Sequence, residues 1–309
     1  MTEDLYILTL LNTPAIGVKG AKDILAASTA EPDSVEDILE ITHSVYGKSP
    51  RLFGPTLEEL RSSYSQGVKI LEQAERSGIS VLSPSHVDFP ERLNTIKCPP
   101  LLLSARGSTA CLTQPSSIAV IGTREPTEQG FALSESLGRT IAEMHCVLVS
   151  GLARGCDTAA HVGCLAAEGQ TVAILAHGLN TIYPPENYGL AEQIIEMGGC
   201  LLSEYPPNER PKPKYFVERD RLQSGLSGGV IIVETDLKGG AMHTARFCVE
   251  EKKPLGCMVF PEDRNNRKMT EGNVRLISSG EAVALNSIDD VKGFIVQTIA
   301  RARAVSDLT

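Results

Sequence analysis

The sequence predicts an α/β fold, in which a mostly parallel, Rossmann-like sheet has helices on both faces and follows a small all-helical domain. Two observations predict it. After residue 117, short runs rich in Val, Ile and Leu alternate with amphipathic stretches of helical length, as in repeated βα units. Before about residue 75, apolar side chains recur instead at helical spacing.

Seven apolar runs define the predicted sheet. Each is short and nearly continuous, which is typical of strands that are buried on both faces. They are separated by segments long enough for crossover helices, so neighbouring strands are expected to be parallel. The runs are 117–122, 146–151, 171–178, 200–205, 230–235, 255–260 and 281–285.

Residues 1–75 are predicted to form a helical domain of the SAM or helix-hairpin-helix type. Leu5, Leu8 and Leu11 recur at helical spacing, and a turn at residues 13–20 leads into another helix. Such a turn resembles a helix-hairpin-helix, where backbone N–H groups at a helix start meet phosphate. A plain packing turn is the alternative, and we favour it because a single Gly-x-x-Gly is a weak signal.

The rest of the chain divides into three predicted parts. Residues 76–116 have little periodicity and several prolines, so we predict a linker with one short strand. Residues 117–285 form the Rossmann-like domain, and residues 286–309 have room for about one helix. No apolar run is long enough to span a membrane and no signal peptide is recognisable, so we expect a cytoplasmic protein.

Charge and cysteine content limit the possible functions. The net charge of −9 argues against a general polyanion binder, so a nucleic-acid site must be local. None of the eight cysteines lies in a Cys-x-x-Cys motif, which favours free thiols in a reducing compartment. We therefore expect neither a metal nor a cofactor.

Two turns after predicted strands have the composition of an anion site. Gly122, Thr123 and Arg124 follow the first strand, and in an open parallel sheet ligands bind at such carboxyl ends. The second turn again combines a hydroxyl, glycine and a cation before a helix, in Ser150, Gly151 and Arg154. Side by side, the two turns would surround an anion with backbone N–H groups and helix N-termini.

The segment 210–221 is the strongest local signal for nucleic acid. It carries five cations against two acids, within an acidic chain. Lys212 and Lys214 precede Tyr215 and Phe216, and cations interleaved with aromatic rings suit single-stranded nucleic acid, because cations follow the backbone while rings stack on bases. We expect an extended, Pro-rich loop here; a solvated loop ahead of a helix is the structural alternative.

Four acidic or basic residues are candidates for chemistry. Asp157 and His161 are spaced i, i+4 on a predicted helix, as an acid/base pair would be, but a helix cap and a packed histidine are the favoured interpretation. Glu204 and Glu234 end predicted strands. Glu234 precedes Gly239-Gly240 and would face a ligand there, although a structural hydrogen bond to loop amides is at least as well supported.

The common nucleotide and hydrolase fingerprints are absent. No Gly-x-Gly-x-x-Gly follows a strand, and neither a P-loop nor a Gly-x-Ser-x-Gly elbow occurs. These absences exclude a typical NAD dehydrogenase, a P-loop NTPase and an α/β-hydrolase.

The ordered motifs resemble the DprA/Smf family, from about residue 80 to 285 and more loosely from residue 5. The segments that carry the resemblance are HVDFPERL (86–93), IAVIGTR (118–124), SGLARGCDTAAH (150–161), GLNTIYPPEN (178–187), SEYPP (203–207), FVERDRLQSGLS (216–227) and VETDLKGGAMHTA (233–245).

The resemblance implies a homodimer that binds single-stranded DNA and delivers it to the RecA recombinase during uptake of transforming DNA. The matching DNA-contact positions are Arg124, the cations before Phe216, Phe216 itself and Arg219; no catalytic residue carries over. With the turn residues added, the predicted DNA-binding set is Gly122, Thr123, Arg124, Ser150, Gly151, Arg154, Lys212, Lys214, Phe216, Arg219, Arg221, Gly239 and Gly240.

The chain departs from the family pattern at several places. Asp220 stands where Asn is usual, and its carboxylate would repel phosphate unless Arg219 or Arg221 neutralises it. Thr123 replaces Ser, Cys156 replaces an aliphatic residue, and no winged-helix domain is expected after residue 285.

Three functions follow in order of support. A DNA-binding recombination mediator without enzyme activity comes first. A nucleotide-binding sensor or nucleotide hydrolase of the related Rossmann-like superfamily comes second, but residues 234–240 lack the Pro-Gly-Gly-x-Gly-Thr-x-x-Glu of such hydrolases. A purely structural module comes last, because the two phosphate-type turns count against it.

Overall fold

One nine-stranded sheet organises the computed structural model, which describes residues 1–14, 16–28, 30–47, 54–260 and 267–306. The seven predicted runs all form strands, which confirms the predicted sheet. The strands are β1 (Ser80–Leu82), β2 (Leu103–Gly107), β3 (Ser117–Ile121), β4 (Val147–Ser150), β5 (Thr171–Leu175), β6 (Cys200–Ser203), β7 (Gly229–Ile232), β8 (Leu255–Met258) and β9 (Val283–Leu285).

The described helices alternate with these strands from β3 onward, as βα units require. They are α1 (Glu3–Asn12), α2 (Gly17–Ala27), α3 (Val35–Tyr46), α4 (Leu57–Arg76), α5 (Glu128–Glu143), α6 (Cys156–Ala166), α7 (Tyr188–Glu196), α8 (Pro213–Leu226), α9 (Ala241–Glu250), α10 (Arg267–Ser278) and α11 (Ile288–Ser306), with 3₁₀ turns at Glu91–Asn94, Thr109–Cys111 and Pro185–Asn187.

The strand order reverses beside β3. From edge to edge the order is β1-β2-β6-β5-β4-β3-β7-β8-β9. The chain therefore steps from β3 to β6 in one direction, then returns to the other side of β3 and continues to β9. All pairs from β6 to β9 in this order are parallel, which confirms the Rossmann-like fold. The reversal leaves a crevice at the carboxyl ends of β3 and β7.

Helices cover both faces of the sheet because side chains alternate along each strand. Ile121 of β3 lies in one apolar cluster with Leu222 of α8. Val120, its neighbour in the same strand, lies in another cluster with Leu137 of α5 and Ile295 of α11. Both faces are thus dry, which explains why the predicted strands have no polar face.

Residues 76–116 differ from the prediction of a linker with one strand. They contain two strands, β1 and β2, which extend the main sheet with antiparallel pairing; β2 pairs with β6, and β1 forms the edge. Ser104 of β2 is paired with Ser203 of β6, next to the parallel part of the sheet. We missed β1 because three residues with a single alternation give almost no periodic signal.

The N-terminal and C-terminal helices agree with the sequence. The described residues up to Arg76 form four helices, and α11 is the helix expected after residue 285. In the segment 13–20, a Cβ on Gly20 would meet the Tyr46 hydroxyl, the end of a side chain that can move, so the choice between a packing turn and a helix-hairpin-helix stays a prediction. The domain boundaries themselves stay a prediction. Within the described ranges, no helix has both the length and the apolar character needed to cross a membrane.

Candidate nucleic-acid interface

A cavity of about 390 Å³ opens at the crevice where the strand order reverses. Most of its lining comes from the turn after β3, the loop between β7 and α9 with the start of α9, and one face of α8. Ala153, Asp157 and Met269 contribute from the turn after β4, from α6 and from α10. Open parallel sheets bind ligands at this place. The predicted residues that line the cavity are Gly122, Thr123, Arg124, Phe216, Arg219, Gly239 and Gly240.

The turn after β3 places a cation at the cavity mouth. A Cβ on Gly122 would lie 2.5 Å from the Cys156 Sγ, so only glycine lets the turn approach α6 this closely. Arg124 is exposed, and its guanidinium carbon lies 5.1 Å from the ring centroid of Phe216. This is a cation–π contact, which holds a cation and an aromatic face together at the mouth.

The turn after β4 is used mostly inside the protein. The Ser150 hydroxyl is buried and donates to a backbone carbonyl of β3 at 2.7 Å. The Gly151 N–H donates to the Asp157 carboxylate at 3.0 Å. Arg154 is exposed but pairs with Glu186, and neither it nor Ser150 lines the cavity. The geometry therefore does not support the predicted anion pocket made by two adjacent turns. The first turn lines the cavity, whereas the polar groups of the second turn form hydrogen bonds and an ion pair within the protein.

The basic segment is a helix over most of its length, which corrects our prediction of an extended loop. Helix α8 begins at Pro213, and proline is favoured in the first turn, where its missing N–H has no partner to lose. Helical spacing then brings Phe216, Arg219, Asp220 and Gln223 to one face, and all four line the cavity.

The other cations of this segment lie away from the cavity. Arg221 Nη2 donates to both oxygens of the Glu204 carboxylate, at 2.6 and 2.7 Å, and this ion pair is largely buried. Lys212 and Lys214 are exposed, with their Nζ atoms 5.0 and 5.3 Å from the ring centroid of Tyr215. The geometry gives no support to a phosphate contact by Arg221. Lys214 remains accessible to a strand that leaves the cavity, whereas Lys212, although exposed, pairs with Glu209.

Arg219 and two carboxyl groups form the polar floor of the cavity. The buried guanidinium of Arg219 donates from Nε to Asp220 Oδ1 at 3.2 Å and from Nη1 to the Gly151 carbonyl at 3.0 Å. Burial raises the pKa of Asp220 to about 7 although Arg219 opposes the shift, and nearby Asp157 raises it further. Burial also raises the pKa of Asp157. The Arg219 guanidinium thus holds the Asp220 carboxyl in place and does not extend toward solvent.

The remaining candidate groups have structural roles. The Glu234 carboxylate accepts the Thr127 N–H at 2.9 Å and its hydroxyl at 2.6 Å, which is the loop hydrogen bond we considered. Imidazole Nδ1 of His161 lies 2.8 Å from the Thr171 hydroxyl, and burial lowers the pKa of His161 to about 3. His161 is therefore a neutral packed histidine, as we favoured. Asp157 is not the expected cap, because the N-cap of α6 is Gly155; its carboxylate instead accepts the Gly151 N–H of the preceding turn.

Sequence reasoning missed several residues at this site. Gln223, Asp236 and His243 line the cavity, and Tyr183 lies beside it with its ring centroid 6.0 Å from that of Phe216. The tyrosine ring is 44% exposed, which makes it available for stacking. The position of Gln223, seven residues after Phe216, was a readable signal, but only if α8 had been recognised as a helix.

No metal centre is evident among the residues that the structure describes. They contain no cluster of three or more His, Cys, Asp or Glu side chains that could hold an ion. All eight cysteines are free thiols, and seven are buried, in agreement with the predicted free thiols.

Fold and site together define a Rossmann-like α/β protein with a ligand cavity at the topological switch point of its sheet. The family model for DNA recombination-mediator protein A matches residues 80–295. The chain belongs to this family, the DprA/Smf family.

Relatives and solved structures agree with this assignment. The chain is 33% identical to the DNA processing protein DprA of Bacillus subtilis over 237 residues, which are 75% of this chain and 77% of that protein. The X-ray structure of DprA from Streptococcus pneumoniae superposes with a TM-score of 0.76 at 27% identity, covering 95% of this chain and 98% of that one.

A second structure concerns DNA binding directly. DprA from Helicobacter pylori, described for its single-stranded DNA binding mode, superposes with a TM-score of 0.63 at 31% identity. The superposition covers 71% of this chain and 96% of that one.

Proposed function

We propose that this chain binds single-stranded DNA at the cavity mouth and mediates its loading onto the RecA recombinase in DNA uptake or recombination. The observation that carries the proposal is the cation–π pair of Arg124 and Phe216, placed where a parallel sheet binds its ligands. A strand offers this pair a phosphate and a base at adjacent positions. Family membership and the DNA binding described for the Helicobacter protein support the same ligand.

The rest of the mouth suits a phosphodiester chain. Gly239 and Gly240 line the cavity just before α9 begins, and the amides at a helix start attract phosphate. A Cβ on Gly240 would meet nothing within 4 Å, so this position is open to an approaching strand. The exposed Lys212 and Lys214 extend the cationic surface beyond the mouth.

The proposal predicts single-strand binding that is selective and salt-dependent. We expect oligonucleotides to bind with a preference for single strands over duplex, because stacking needs unpaired bases. The logarithm of affinity is expected to fall with log salt by about 0.7 per neutralised phosphate. Fluorescence anisotropy at several salt concentrations measures both quantities. Equal affinity for duplex, or a flat salt response, would contradict the proposal.

A small-nucleotide sensor is the second candidate, and the size of the cavity favours it. A volume of about 390 Å³ lies in the range of small-molecule pockets. A hydrolase is less well supported, because the Glu234 carboxylate is engaged by Thr127 and is not free to act as a base. Competition separates the two candidates: mononucleotides that displace a bound oligonucleotide at similar concentration would favour the sensor.

Assembly as a homodimer through the later strands and helices is part of the proposal. Val274 of α10 and Val283 of the edge strand β9 are 63% and 59% exposed. Exposed apolar groups at a sheet edge favour contact with a second copy. Two cavities in one particle would bind a strand with higher avidity than one cavity does.

A further inference from the structure

We infer that the cavity takes up one base of the bound strand and selects guanine, with the Asp220 carboxylate as the group that reads it. The inference rests on the proposed single-stranded DNA binding and adds a base preference to it. It is drawn from the charge balance of the cavity and from an unused acceptor in its floor.

The charges of the cavity keep phosphate at the mouth. Among the residues that the structure describes, two cations line it: Arg124 is exposed at the mouth, and Arg219 is buried and bonded to the protein. Three carboxyl groups of the described residues line it as well, those of Asp157, Asp220 and Asp236. When these carboxyl groups are ionised, a phosphate inside meets more negative than positive groups of this set, and like charges repel strongly where water is scarce. A neutral base is the part of a nucleotide that suits this interior.

Asp220 has an acceptor that nothing in the protein satisfies. Its side chain is only 10% exposed, and Oδ1 accepts from Arg219 Nε at 3.2 Å. Oδ2 has no hydrogen-bond partner among the residues that the structure describes. Because Asp220 lines the cavity, an N–H group of a ligand that enters the cavity can donate to this free oxygen.

Guanine matches this floor better than the other bases. An ionised carboxylate only accepts hydrogen bonds, so it requires donors. Guanine alone carries two neighbouring donors on its Watson–Crick edge, N1–H and the N2 amino group; each of the other bases has one donor group there, next to an acceptor. Phe216 at the mouth can stack on the inserted base, and Arg219 holds the carboxylate in place. Asn, the residue usual at this position in the family pattern, has one donor and one acceptor and discriminates less.

The test compares dT oligonucleotides that carry one central dG, dI or dT, titrated well above pH 7 so that Asp220 is ionised. Hypoxanthine, the base of dI, lacks only the N2 amino group of guanine. We expect dG to bind at least about fivefold tighter than dT, with dI between them. Equal and tight binding of all three would overturn the guanine inference and leave the proposed function standing. Failure of all three to bind would overturn the proposed function.

Two variants assign the preference to Asp220. Asp220→Asn is expected to lose most of the preference for dG over dT. Glu218→Gln is the matched control, because it makes the same carboxyl-to-amide change on α8 outside the cavity lining, and it should keep the preference. An Asp220→Asn variant that keeps the full preference would contradict the assignment. If that variant does not fold, the dG and dI comparison in the unaltered chain still decides the inference.

Discussion

The Asp220 carboxyl is held in a site that favours its neutral form. Because its pKa is about 7 in the fold, against 3.8 for an ordinary Asp, the native state binds a proton that the unfolded chain releases between these values. The contribution of this group to the free energy of unfolding therefore falls as pH rises from about 4 to 7, by up to about 1.4 kcal/mol per pH unit. Well above pH 7 this contribution to the free energy of unfolding has been lost completely.

Asp220→Asn should remove this pH dependence. The variant is expected to become more stable relative to the unaltered chain as pH rises from about 4 to 7, because an amide does not ionise. Urea denaturation at several pH values measures the difference, and the comparison cancels the opposite contribution of the buried His161, which is lost as pH falls. A stability difference that stays constant over this pH range would contradict the assigned pKa.

At the scale of single residues, sequence reasoning found positions but not partners. Arg124 was expected at a turn after a strand, and it lies there exposed. Arg221 is predicted from the sequence to contact DNA as well, but it pairs with Glu204, 17 residues earlier on a different element. Arg219 is likewise committed to the interior. Partners that are distant along the chain depend on tertiary contacts, and periodicity carries no information about those.

At the scale of elements, α8 was the main error. The Pro-rich start at residues 206–213 suggested an extended loop, although Pro213 occupies the first turn of a helix, where proline is well tolerated. Helix α8 also has a weak apolar periodicity, because its cavity face carries Arg219, Asp220 and Gln223. A helix with one polar face in a cavity and another in solvent does not show the usual amphipathic pattern. The polar residues that line the cavity thus remove the periodicity by which α8 would have been recognised as a helix in the sequence.

The close contact between α5 and α6 gives a prediction at the same scale. A Cβ on Gly163 of α6 would collide with the backbone of Glu135 in α5, which cannot move aside as a side chain does. Gly163→Ala is expected to lower the free energy of unfolding by about 1–3 kcal/mol or more, as overpacking does.

Gly293→Ala is the control for this substitution. Gly293 lies inside α11, and a Cβ added to it would meet nothing within 4 Å. Alanine there should therefore raise the free energy of unfolding by about 0.5–1 kcal/mol. Chemical denaturation measures the free energy of unfolding of both variants. Gly163→Ala with unchanged stability would show that the two helices are not in such close contact.

At the scale of the whole molecule, the sheet was predictable and its edge was not. Seven buried strands had a clear signal, because short apolar runs that alternate with helical segments are typical of a parallel sheet. The two antiparallel strands that extend the sheet are short and lie among prolines, so the pairing of β1 with β2 and of β2 with β6 appears only in three dimensions. The site at the reversal of strand order follows from topology, and topology depends on which strands pair.

The molar mass of the protein in solution tests the proposed homodimer. Light scattering at micromolar concentration should give about twice the 33.1 kDa of one chain. Val274→Asp, which places a charge on the exposed face of α10, should shift the mass toward one chain, because a carboxylate buried in an interface is costly. Val87→Asp is the control, since Val87 is 87% exposed in a different part of the chain. A mass near 33 kDa for the unaltered chain would contradict the dimer.

The central claim is that Arg124 and Phe216 together hold one phosphate and one base of a single strand. The measurement that tests it most directly is a titration of Arg124→Ala and Phe216→Ala with an oligonucleotide at three salt concentrations, with thermal melts to show that both variants fold. Arg124→Ala should weaken binding and reduce the salt slope by about 0.7, because one phosphate contact to a single strand is lost. Phe216→Ala should cost about 1–3 kcal/mol and leave the slope nearly unchanged, because stacking releases no counterion. If both variants fold and bind like the unaltered chain, the cavity is not the DNA site.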